Sequence, residues 1–253
     1  MTQFLDRGDG HRLAYKALHG TGPGIVWLGG LRSDMEGTKA LALDAWAQRE
    51  GRAFIRFDYF AHGQSDGDWR AARIGRWRED ALAVIDALTE GPLVLAGSSM
   101  GAWTALLAAL ARPERVAGLV LIAPAPDFTE ALMWAGFPDA VREQIVRNGE
   151  WAEPSDYGEP LIITHGLIEE ARRWLLLDGK ITFRGPVRIL QGMSDADVPW
   201  QHAVRVCEAL EGNDVSLHLT KGGDHRLSGP ADLDRLIASV EALCRQVNEK
   251  EKG

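Results

Sequence analysis

A serine set between two glycines carries the clearest chemical signal in the chain. Residues 97–101 read Gly-Ser-Ser-Met-Gly, and they stand between the apolar residues 93–96 and an apolar helical stretch that begins at Ala102. A serine at the tip of a sharp strand-to-helix turn crowds the main chain on both sides, so glycine fits two residues before and two after it. The turn also places the hydroxyl at a helix N-terminus, where partial positive charge favours an oxyanion. The spacing predicts that Ser99, rather than Ser98, is a nucleophile.

The partners of a nucleophilic serine are also available. A serine hydroxyl needs a general base, and the base needs an acid that orients it. Two later loops follow predicted strands: the first contains Asp195 and Asp197, and the second contains His225. Open α/β sheets bind ligands at the carboxyl edge, which these loops share with Ser99. An ordinary turn at Ser99 is the weaker alternative, and the six other histidines, His62 among them, are interpreted as solvated or hydrogen-bonded surface residues.

Charge that develops on an attacked carbonyl oxygen needs two N–H donors. The residue after the nucleophile, Met100, is expected to supply one of them from its backbone. The loop after the strand predicted at residues 24–28 is expected to supply the other, and by position that donor is Leu31. The sequence therefore predicts an oxyanion hole made of the Leu31 and Met100 main chain.

The elements that must position these residues alternate along the chain. Short apolar runs and amphipathic stretches follow one another, which indicates an α/β fold with a mainly parallel sheet flanked by helices. The predicted strands are residues 12–17, 24–28, 53–57, 93–97, 118–122, 187–191 and 215–219. The predicted helices lie near residues 39–50, 77–90, 102–111, 201–211 and 232–248.

One long insertion breaks this alternation. It contains a polar segment with a proline at residues 153–157 and a second apolar segment, predicted as helical, at residues 161–177. We interpret residues 126–185 as a helical cap over the carboxyl edge of the sheet, with residues 1–125 and 186–253 as the core. An independent small domain is the weaker alternative, because about 60 residues without strands of their own make a thin core.

Aromatic residues of the cap and of the acid loop are candidates for the substrate pocket. The chain has 9 tryptophans, most of which we expect to be packing residues. The predicted pocket residues are Trp134, Phe137, Trp174 and Trp200. An equally weighted alternative is that these side chains attach the cap to the core.

Composition limits the other possibilities. The formal net charge of −8 argues against a nucleic-acid partner, and we expect no apolar segment that spans a membrane. The sequence has no His-Glu-x-x-His, no P-loop and no dinucleotide glycine pattern, so neither a metal nor a cofactor is expected. The first residues do not resemble a signal peptide and the 2 cysteines fit a reducing compartment, so we expect a cytoplasmic protein.

Taken together, these residues resemble the α/β-hydrolase superfamily. Within it the chain is similar to the group of a mitochondrial palmitoyl-protein thioesterase, also described as mycophenolic acid acyl-glucuronide esterase, and its bacterial relatives. The similar segments are Leu13-Ala14-Tyr15-Lys16, Gly37-Thr38-Lys39-Ala40-Leu41-Ala42, Ile55-Arg56-Phe57-Asp58-Tyr59, Gly75-Arg76-Trp77-Arg78-Glu79-Asp80, residues 195–200 and Asp224-His225-Arg226.

The resemblance implies a cofactor-free serine hydrolase with an α/β-hydrolase fold and the triad Ser99, Asp195 and His225. Asp195 comes three residues after Gly192, as in the acid loops of the superfamily, which favours it over Asp197. Two departures are Gln191, which replaces a histidine, and Ala102, which replaces a second glycine. Eukaryotic members begin with a transit peptide, which is not seen here, so the resemblance implies a bacterial cytoplasmic relative.

The expected reaction is the hydrolysis of an ester or thioester through an acyl-enzyme on Ser99. Palmitoyl thioesters and acyl glucuronides are the substrates that the resemblance suggests, with Arg32 or Arg184 near a carboxylate-bearing leaving group. The same triad on this scaffold also hydrolyses carbon–carbon bonds, lactones and peptides. A ligand-binding receptor that retains the triad is the alternative outside the enzymes.

Overall fold

Eight strands form one central sheet. In this computed structural model, which describes residues 1–154 and 160–252, the strands are β1 (Gln3–Asp6), β2 (Arg12–Leu18), β3 (Thr21–Leu28), β4 (Arg52–Phe57), β5 (Leu93–Ser98), β6 (Val116–Ile122), β9 (Val187–Gly192) and β10 (Val215–Thr220). Their spatial order is β1-β2-β4-β3-β5-β6-β9-β10. Strands β1 and β2 pair antiparallel with their neighbours, and the pairs from β4 to β10 are parallel. The predicted α/β-hydrolase fold, with its mainly parallel sheet, is confirmed; strand β1 was not predicted.

Helices cover both faces of this sheet. They are α1 (Thr38–Arg49), α2 (Ile74–Leu88), α3 (Met100–Ala111), α6 (Trp200–Ala209) and α7 (Pro230–Lys252). One apolar cluster joins the sheet to α2, α3 and α6, and a second cluster joins it to α1 and α7. Along β5, Leu95 belongs to the first cluster and Val94 to the second, as the alternation of side chains in a strand requires. Because both faces are covered, every residue of β5 is buried.

The insertion between β6 and β9 contains both helices and strands. A single π-helical turn (Thr129–Trp134) leads to α4 (Asp139–Asn148), and the antiparallel strands β7 (Glu150–Glu153) and β8 (Leu161–Thr164) follow. Helix α5 (His165–Ala171) and a short 3₁₀ turn (Arg172–Trp174) complete it. Residues 155–157 of the predicted polar segment lie outside the described residues.

This insertion corrects the expectation of a cap without strands. The first four residues of the segment predicted as a helix, Leu-Ile-Ile-Thr, pair instead with β7. Short apolar runs rich in β-branched residues fit a strand as well as a helix, and pairing with a neighbouring segment decides between them. The cap has a small core of its own around Ile145, Ile163 and Ile168. Its exact limits, residues 126–185, stay a prediction.

Candidate active site

Ser99 lies in the turn between β5 and α3, with a backbone φ of 56°. A positive φ is uncommon for a residue with a Cβ and is held here by the surroundings. The Ser99 N–H donates to the carbonyl of Ile122 at 2.8 Å. A Cβ on Gly97 would lie 2.3 Å from the Gly101 carbonyl oxygen, and one on Gly101 would lie 2.0 Å from the Leu28 carbonyl oxygen. Both glycines of the motif are therefore required by close backbone contacts.

The structure brings the three predicted triad side chains together. The Oγ of Ser99 lies 3.1 Å from Nε2 of His225, and Nδ1 of His225 lies 2.8 Å from Oδ2 of Asp195. The Asp195 side chain is fully buried, whereas the His225 side chain is partly exposed. This arrangement allows the imidazole to accept a proton from the hydroxyl while the carboxylate stabilises the imidazolium. The catalytic roles of the three residues stay predictions.

Asp195 is held by four N–H groups. Its Oδ1 accepts the backbone N–H groups of Asp197 and Val198 at 2.9 and 2.8 Å. Its Oδ2 accepts from His225 and, at 3.0 Å, from the side-chain amide of Gln191. Burial alone would raise the pKa of Asp195, but the hydrogen bonds from His225 and Val198 bring the pKa below its ordinary value. The carboxylate is therefore the charged form at neutral pH.

Asp197 contributes to the acid loop in a different way. Its backbone N–H contacts Asp195, and its own carboxylate is on the wall of the adjoining cavity. Asp195, Asp197 and His225 each offer one ligand atom within 4.8 Å of the others, a spacing that suits a cation. However, both oxygens of Asp195 already accept two N–H groups, so this carboxylate is arranged as a hydrogen-bond acceptor rather than a metal ligand.

Gln191 stands behind the acid. It is fully buried, and its Nε2 donates to the carbonyls of Gly192 and Val198 as well as to Asp195. Three acceptors around one nitrogen identify this atom as the amide NH₂. The residue was singled out in the sequence as a departure from related proteins, but its contact with the acid was not anticipated.

The loop after β3 lies next to Ser99. A Cβ on Gly30 would lie 3.5 Å from the Cβ of Ser99, and Leu31 and Met100 both line the cavity beside Ser99. Met100 is the first residue of α3, where backbone N–H groups have no partner within the helix. The structure thus places both predicted oxyanion donors next to the serine. Their function in the reaction stays a prediction.

A buried histidine is bonded to this same loop. Nε2 of His62 accepts the backbone N–H of Arg32 at 3.1 Å, and Nδ1 of His62 lies 3.1 Å from the carbonyl of Phe60. Burial lowers the pKa of His62 to about 4, so the ring is neutral at physiological pH. A neutral ring with one N–H must donate it to the Phe60 carbonyl, which leaves Nε2 as an acceptor.

A cavity of about 700 Å³ opens beside Ser99 and His225. One wall is apolar and comes mainly from the cap: Phe128, Leu132, Met133, Phe137 and Leu161. The polar lining residues, which we call the polar wall, come mainly from core loops and α1, with one carboxylate from the cap: Arg32, Ser33, Asp34, Thr38, Lys39, Glu153, Asp197, Arg226 and Ser228. The amine of Lys39 donates to the Arg226 carbonyl, and burial lowers the pKa of Lys39 to about 8.

A second groove, of about 740 Å³, lies at the opposite edge of the sheet around Leu18, Phe54 and Pro92. The residues described on its walls include neither serine nor cysteine, and the hydroxyl of Thr89 donates to the Ile85 carbonyl at 2.6 Å. The chemistry of a nucleophile and its base is therefore found at the carboxyl edge.

The four aromatic residues predicted for the pocket separate into two groups. Phe137 lines the cavity, whereas Trp134, Trp174 and Trp200 are not among its lining residues. Trp134 packs in the small core of the cap, the Trp174 ring lies under the guanidinium of Arg78 at 4.8 Å, and Trp200 begins α6. The pocket prediction is kept for Phe137 and withdrawn for the three tryptophans, because packing within the cap and against the core accounts for two of them.

Sequence reasoning missed most of the polar wall. Arg226 is adjacent to His225 in the chain and Ser228 follows in the same loop, which is a signal that could have identified them. Thr38 and Lys39 come from α1, far away in sequence; they stand in one of the segments similar to the related group, but nothing in that segment predicts that they line the cavity. Arg184, suggested for a carboxylate-bearing leaving group, is instead paired with Glu211 at 2.9 Å and does not line the cavity.

Comparison with known proteins shows which family the chain is similar to. Residues 25–150 match the family model described as "Serine aminopeptidase, S33". The chain is 41% identical over 242 residues to the mouse protein "Palmitoyl-protein thioesterase ABHD10, mitochondrial", covering 95% of this chain and 81% of the relative.

Two solved structures are also similar along nearly the whole chain. The structure of mouse α/β-hydrolase domain-containing protein 10 superposes with a TM-score of 0.90 at 39% identity, covering 98% of this chain and 99% of that one. A putative hydrolase from Agrobacterium vitis S4 superposes with a TM-score of 0.91 at 42% identity, covering 96% and 98%.

The names of the relatives correct the expected location. The mouse, cattle and human proteins that match this chain are all named as mitochondrial, which contradicts the prediction of a cytoplasmic protein. That prediction relied on cysteine usage and on the first residues, neither of which distinguishes two reducing compartments. Among the described residues, no helix is both long and apolar enough to cross a membrane.

Proposed function

The chain belongs to the α/β-hydrolase family of ester and thioester hydrolases, in the group of ABHD10, and we propose that it cleaves acyl esters or thioesters through Ser99, His225 and Asp195. The observation that carries the proposal is the continuous set of contacts from Ser99 Oγ through the His225 ring to Asp195. Serine hydrolases need this order of hydroxyl, base and acid.

In the first step His225 takes the proton of the Ser99 hydroxyl while the oxygen attacks the acyl carbonyl. The negative charge that forms on the carbonyl oxygen is stabilised by the backbone N–H groups of Leu31 and Met100. Asp195 keeps Nδ1 of His225 protonated, so that Nε2 is the basic atom. The imidazolium then gives its proton to the departing alcohol or thiol, which leaves an acyl group on Ser99.

In the second step water deacylates the enzyme. His225 removes a proton from the water, and the hydroxide attacks the acyl carbonyl in the same oxyanion hole. The proton returns to Ser99 Oγ as the carboxylic acid leaves. No cofactor takes part in either step of this proposal.

The two walls of the cavity suggest how a substrate is oriented. The apolar wall of the cap suits an acyl chain, since each buried CH₂ contributes about 0.8 kcal/mol. The polar wall suits the alcohol or thiol part of the substrate. The name of the mouse relative specifies palmitoyl-protein thioesters, and we propose long-chain acyl thioesters, with palmitoyl as the leading candidate, for this chain as well.

The test is a chain-length series with matched serine variants. Turnover of p-nitrophenyl esters and acyl-CoA thioesters, from acetyl to palmitoyl, is measured for the wild type, Ser99→Ala and Ser98→Ala. We expect Ser99→Ala to lower kcat on the order of 10⁶-fold, as in another triad enzyme. The melting temperature of Ser99→Ala should equal that of the wild type. The kcat of Ser98→Ala should stay within about tenfold of the wild-type value, because the loss of one hydroxyl beside the nucleophile costs about 1 kcal/mol.

The outcomes separate the parts of the proposal. Activity of Ser99→Ala within about a hundredfold of the wild type would refute the assignment of the nucleophile. An optimum at short acyl chains would keep the mechanism and refute the long-chain substrate class.

A further inference from the structure

The loop next to the nucleophile contains a β-turn in a strained form. The N–H of Ser33 donates to the Gly30 carbonyl at 3.1 Å, so Leu31 and Arg32 are the two central residues of the turn. Arg32 has a φ of 58°. A positive φ at the third position marks a type II turn, in which that position is normally glycine. Arginine there costs roughly 1 kcal/mol or more, so another contact must hold the turn in this form.

The contact that holds the turn comes from His62. A type I and a type II turn differ in the orientation of the central peptide, which here joins Leu31 to Arg32 and carries the Arg32 N–H. That N–H donates to Nε2 of His62 at 3.1 Å. If the central peptide turned over into the type I form, the N–H would point away and the buried Nε2 would lose its partner. An unsatisfied buried acceptor costs about 1–3 kcal/mol, which is the same size as the strain of a residue in the conformation of Arg32 and can therefore offset it.

His62 itself cannot move easily. It is 4% exposed, and its ring makes edge contacts with Trp69 and Trp77 at centroid distances of 5.4 and 5.2 Å. Its other nitrogen is bonded to the Phe60 carbonyl. The guanidinium of Arg32 also lies over the Trp69 ring at 5.1 Å, so the turn is attached to the same aromatic cluster by its side chain. The acceptor therefore comes from a rigid part of the core.

We propose that His62 is a positioning residue for hydrolysis, because its Nε2 holds the Gly30–Ser33 turn in the form that aims the Leu31 N–H at the reacting carbonyl oxygen. The Leu31 N–H belongs to the peptide before the central one, so a flip does not reverse it. Without the His62 contact the turn that carries this N–H is free to shift, whereas Ser99 is anchored separately between β5 and α3. His62 touches neither substrate nor nucleophile in this scheme. The inference rests on the proposed function, since it assigns a cause to the orientation of the Leu31 N–H.

The test uses His62→Phe together with a matched control. His62→Phe keeps an aromatic ring in the cluster but removes the acceptor. His202 is equally buried, at 4% exposed, and its Nε2 is bonded to the Pro126 carbonyl at 2.7 Å, away from the turn. His202→Phe thus removes a buried histidine and one hydrogen bond without touching the oxyanion loop.

Kinetics on p-nitrophenyl acetate give the first result. Removing an oxyanion donor typically lowers kcat by about 10²–10³-fold, and a displaced donor retains part of its effect. We therefore expect His62→Phe to lower kcat on the order of 10- to 100-fold with KM within about threefold, because the oxyanion forms only in the transition state. A trifluoromethyl ketone that adds to the serine should lose affinity by the same factor. His202→Phe should lower the melting temperature without these kinetic changes.

Two rescue experiments address the mechanism. Gln places its side-chain oxygen near the position of Nε2 in histidine, whereas Asn places it near Nδ1, so His62→Gln should restore kcat and His62→Asn should not. Glycine adopts a positive φ without strain, so Arg32→Gly in the His62→Phe background should recover kcat. The comparison of His62→Gln with His62→Asn does not depend on His62→Phe, so the inference stays testable even if His62→Phe does not fold.

The inference is overturned by equal kcat losses in His62→Phe and His202→Phe, or by equal kcat values in His62→Gln and His62→Asn. It is supported if the loss is confined to kcat and to binding of the trifluoromethyl ketone, and if the glutamine and glycine variants recover it. Activity of Ser99→Ala within about a hundredfold of the wild type, assayed in parallel, would refute the proposed function instead. If Ser99→Ala is inactive but His62→Phe has the kcat of the wild type, only the positioning role of His62 is refuted.

Discussion

The core and the cap meet at one cavity but are built in different ways. In the core, the proposed nucleophile, base and acid follow β5, β10 and β9, and each is held by bonds to residues of other strands or loops. The cap has a small apolar core of its own around three isoleucines. It adds apolar side chains to the cavity but supplies none of the three triad residues. Chemistry is therefore assigned to the core, and selection of the acyl group to the cap.

The junction between the two regions is held by one buried carboxylate, that of Asp127, and its two hydrogen bonds, which we call the clasp. Asp127, at the start of the cap, is 4% exposed and has a φ of 60°. Its two oxygens accept the backbone N–H groups of Leu176 and Leu177, near the end of the cap, at 2.8 and 2.7 Å. One carboxylate thus closes the insertion at its base. The clasp gives a third region in which the comparison can be tested.

After Ser99→Ala, the largest effect is expected in the core, from Asp195→Asn. We expect kcat to fall on the order of 10⁴-fold, as for the corresponding change in another triad enzyme. In the wild type all four N–H groups point at the carboxylate, so the amide NH₂ of the asparagine must face at least one of them. Without the carboxylate, the His225 ring also loses its correct tautomer. The measurement is kcat on a short p-nitrophenyl ester.

Asp197→Asn is the matched control for the acid. Only the backbone N–H of Asp197 contacts Asp195, and this N–H remains in the variant. The loss of kcat should therefore be far smaller than for Asp195→Asn. If Asp197→Asn were the more damaging change, the acid would be wrongly assigned.

The next effect is expected at the clasp, from Asp127→Ala. The change leaves two buried N–H groups without acceptors and places alanine at a positive φ, so the free energy of unfolding should fall by about 2–4 kcal/mol. Urea unfolding measures it. Asp139→Ala, which removes a cap carboxylate that is 87% exposed, should change the stability by less than about 0.5 kcal/mol. Equal effects of the two variants would show that Asp127 does not hold the cap.

The smallest effect is expected within the cap, from Phe137→Ala. Removing this part of the apolar wall should lower kcat/KM for palmitoyl esters by roughly 10- to 100-fold, since burial of a Phe side chain is worth about 1.5–3 kcal/mol. Acetyl esters should be nearly unaffected, because a short chain does not reach the wall. Trp134→Ala is the control: it packs in the cap core without lining the cavity. The same change in chain-length preference for both variants would refute a specific acyl wall.

Much of the fold was predictable from local patterns. The seven predicted strands all lie within strands of the sheet, and the five predicted core helices differ from the observed ones by a few residues at their ends. The strand β8 was missed, because Leu-Ile-Ile-Thr fits a helix or a strand and its pairing with β7 decides the outcome. Two of the tryptophans predicted for the pocket, Trp134 and Trp174, do not line the cavity for a related reason. An apolar side chain in a cap can face the cavity or the cap core, and its type alone does not decide which.

By itself the sequence determined the turn that holds Ser99, the order of nucleophile, acid and histidine, and the layered fold, because each depends on neighbours a few residues apart or on simple periodicity. Only the tertiary structure decided that Asp195 rather than Asp197 bonds to His225, that Gln191 supports this acid, and that His62 holds the Arg32 peptide. These contacts join residues from separate loops and strands. Their distances depend on how the whole sheet packs, which no local pattern records.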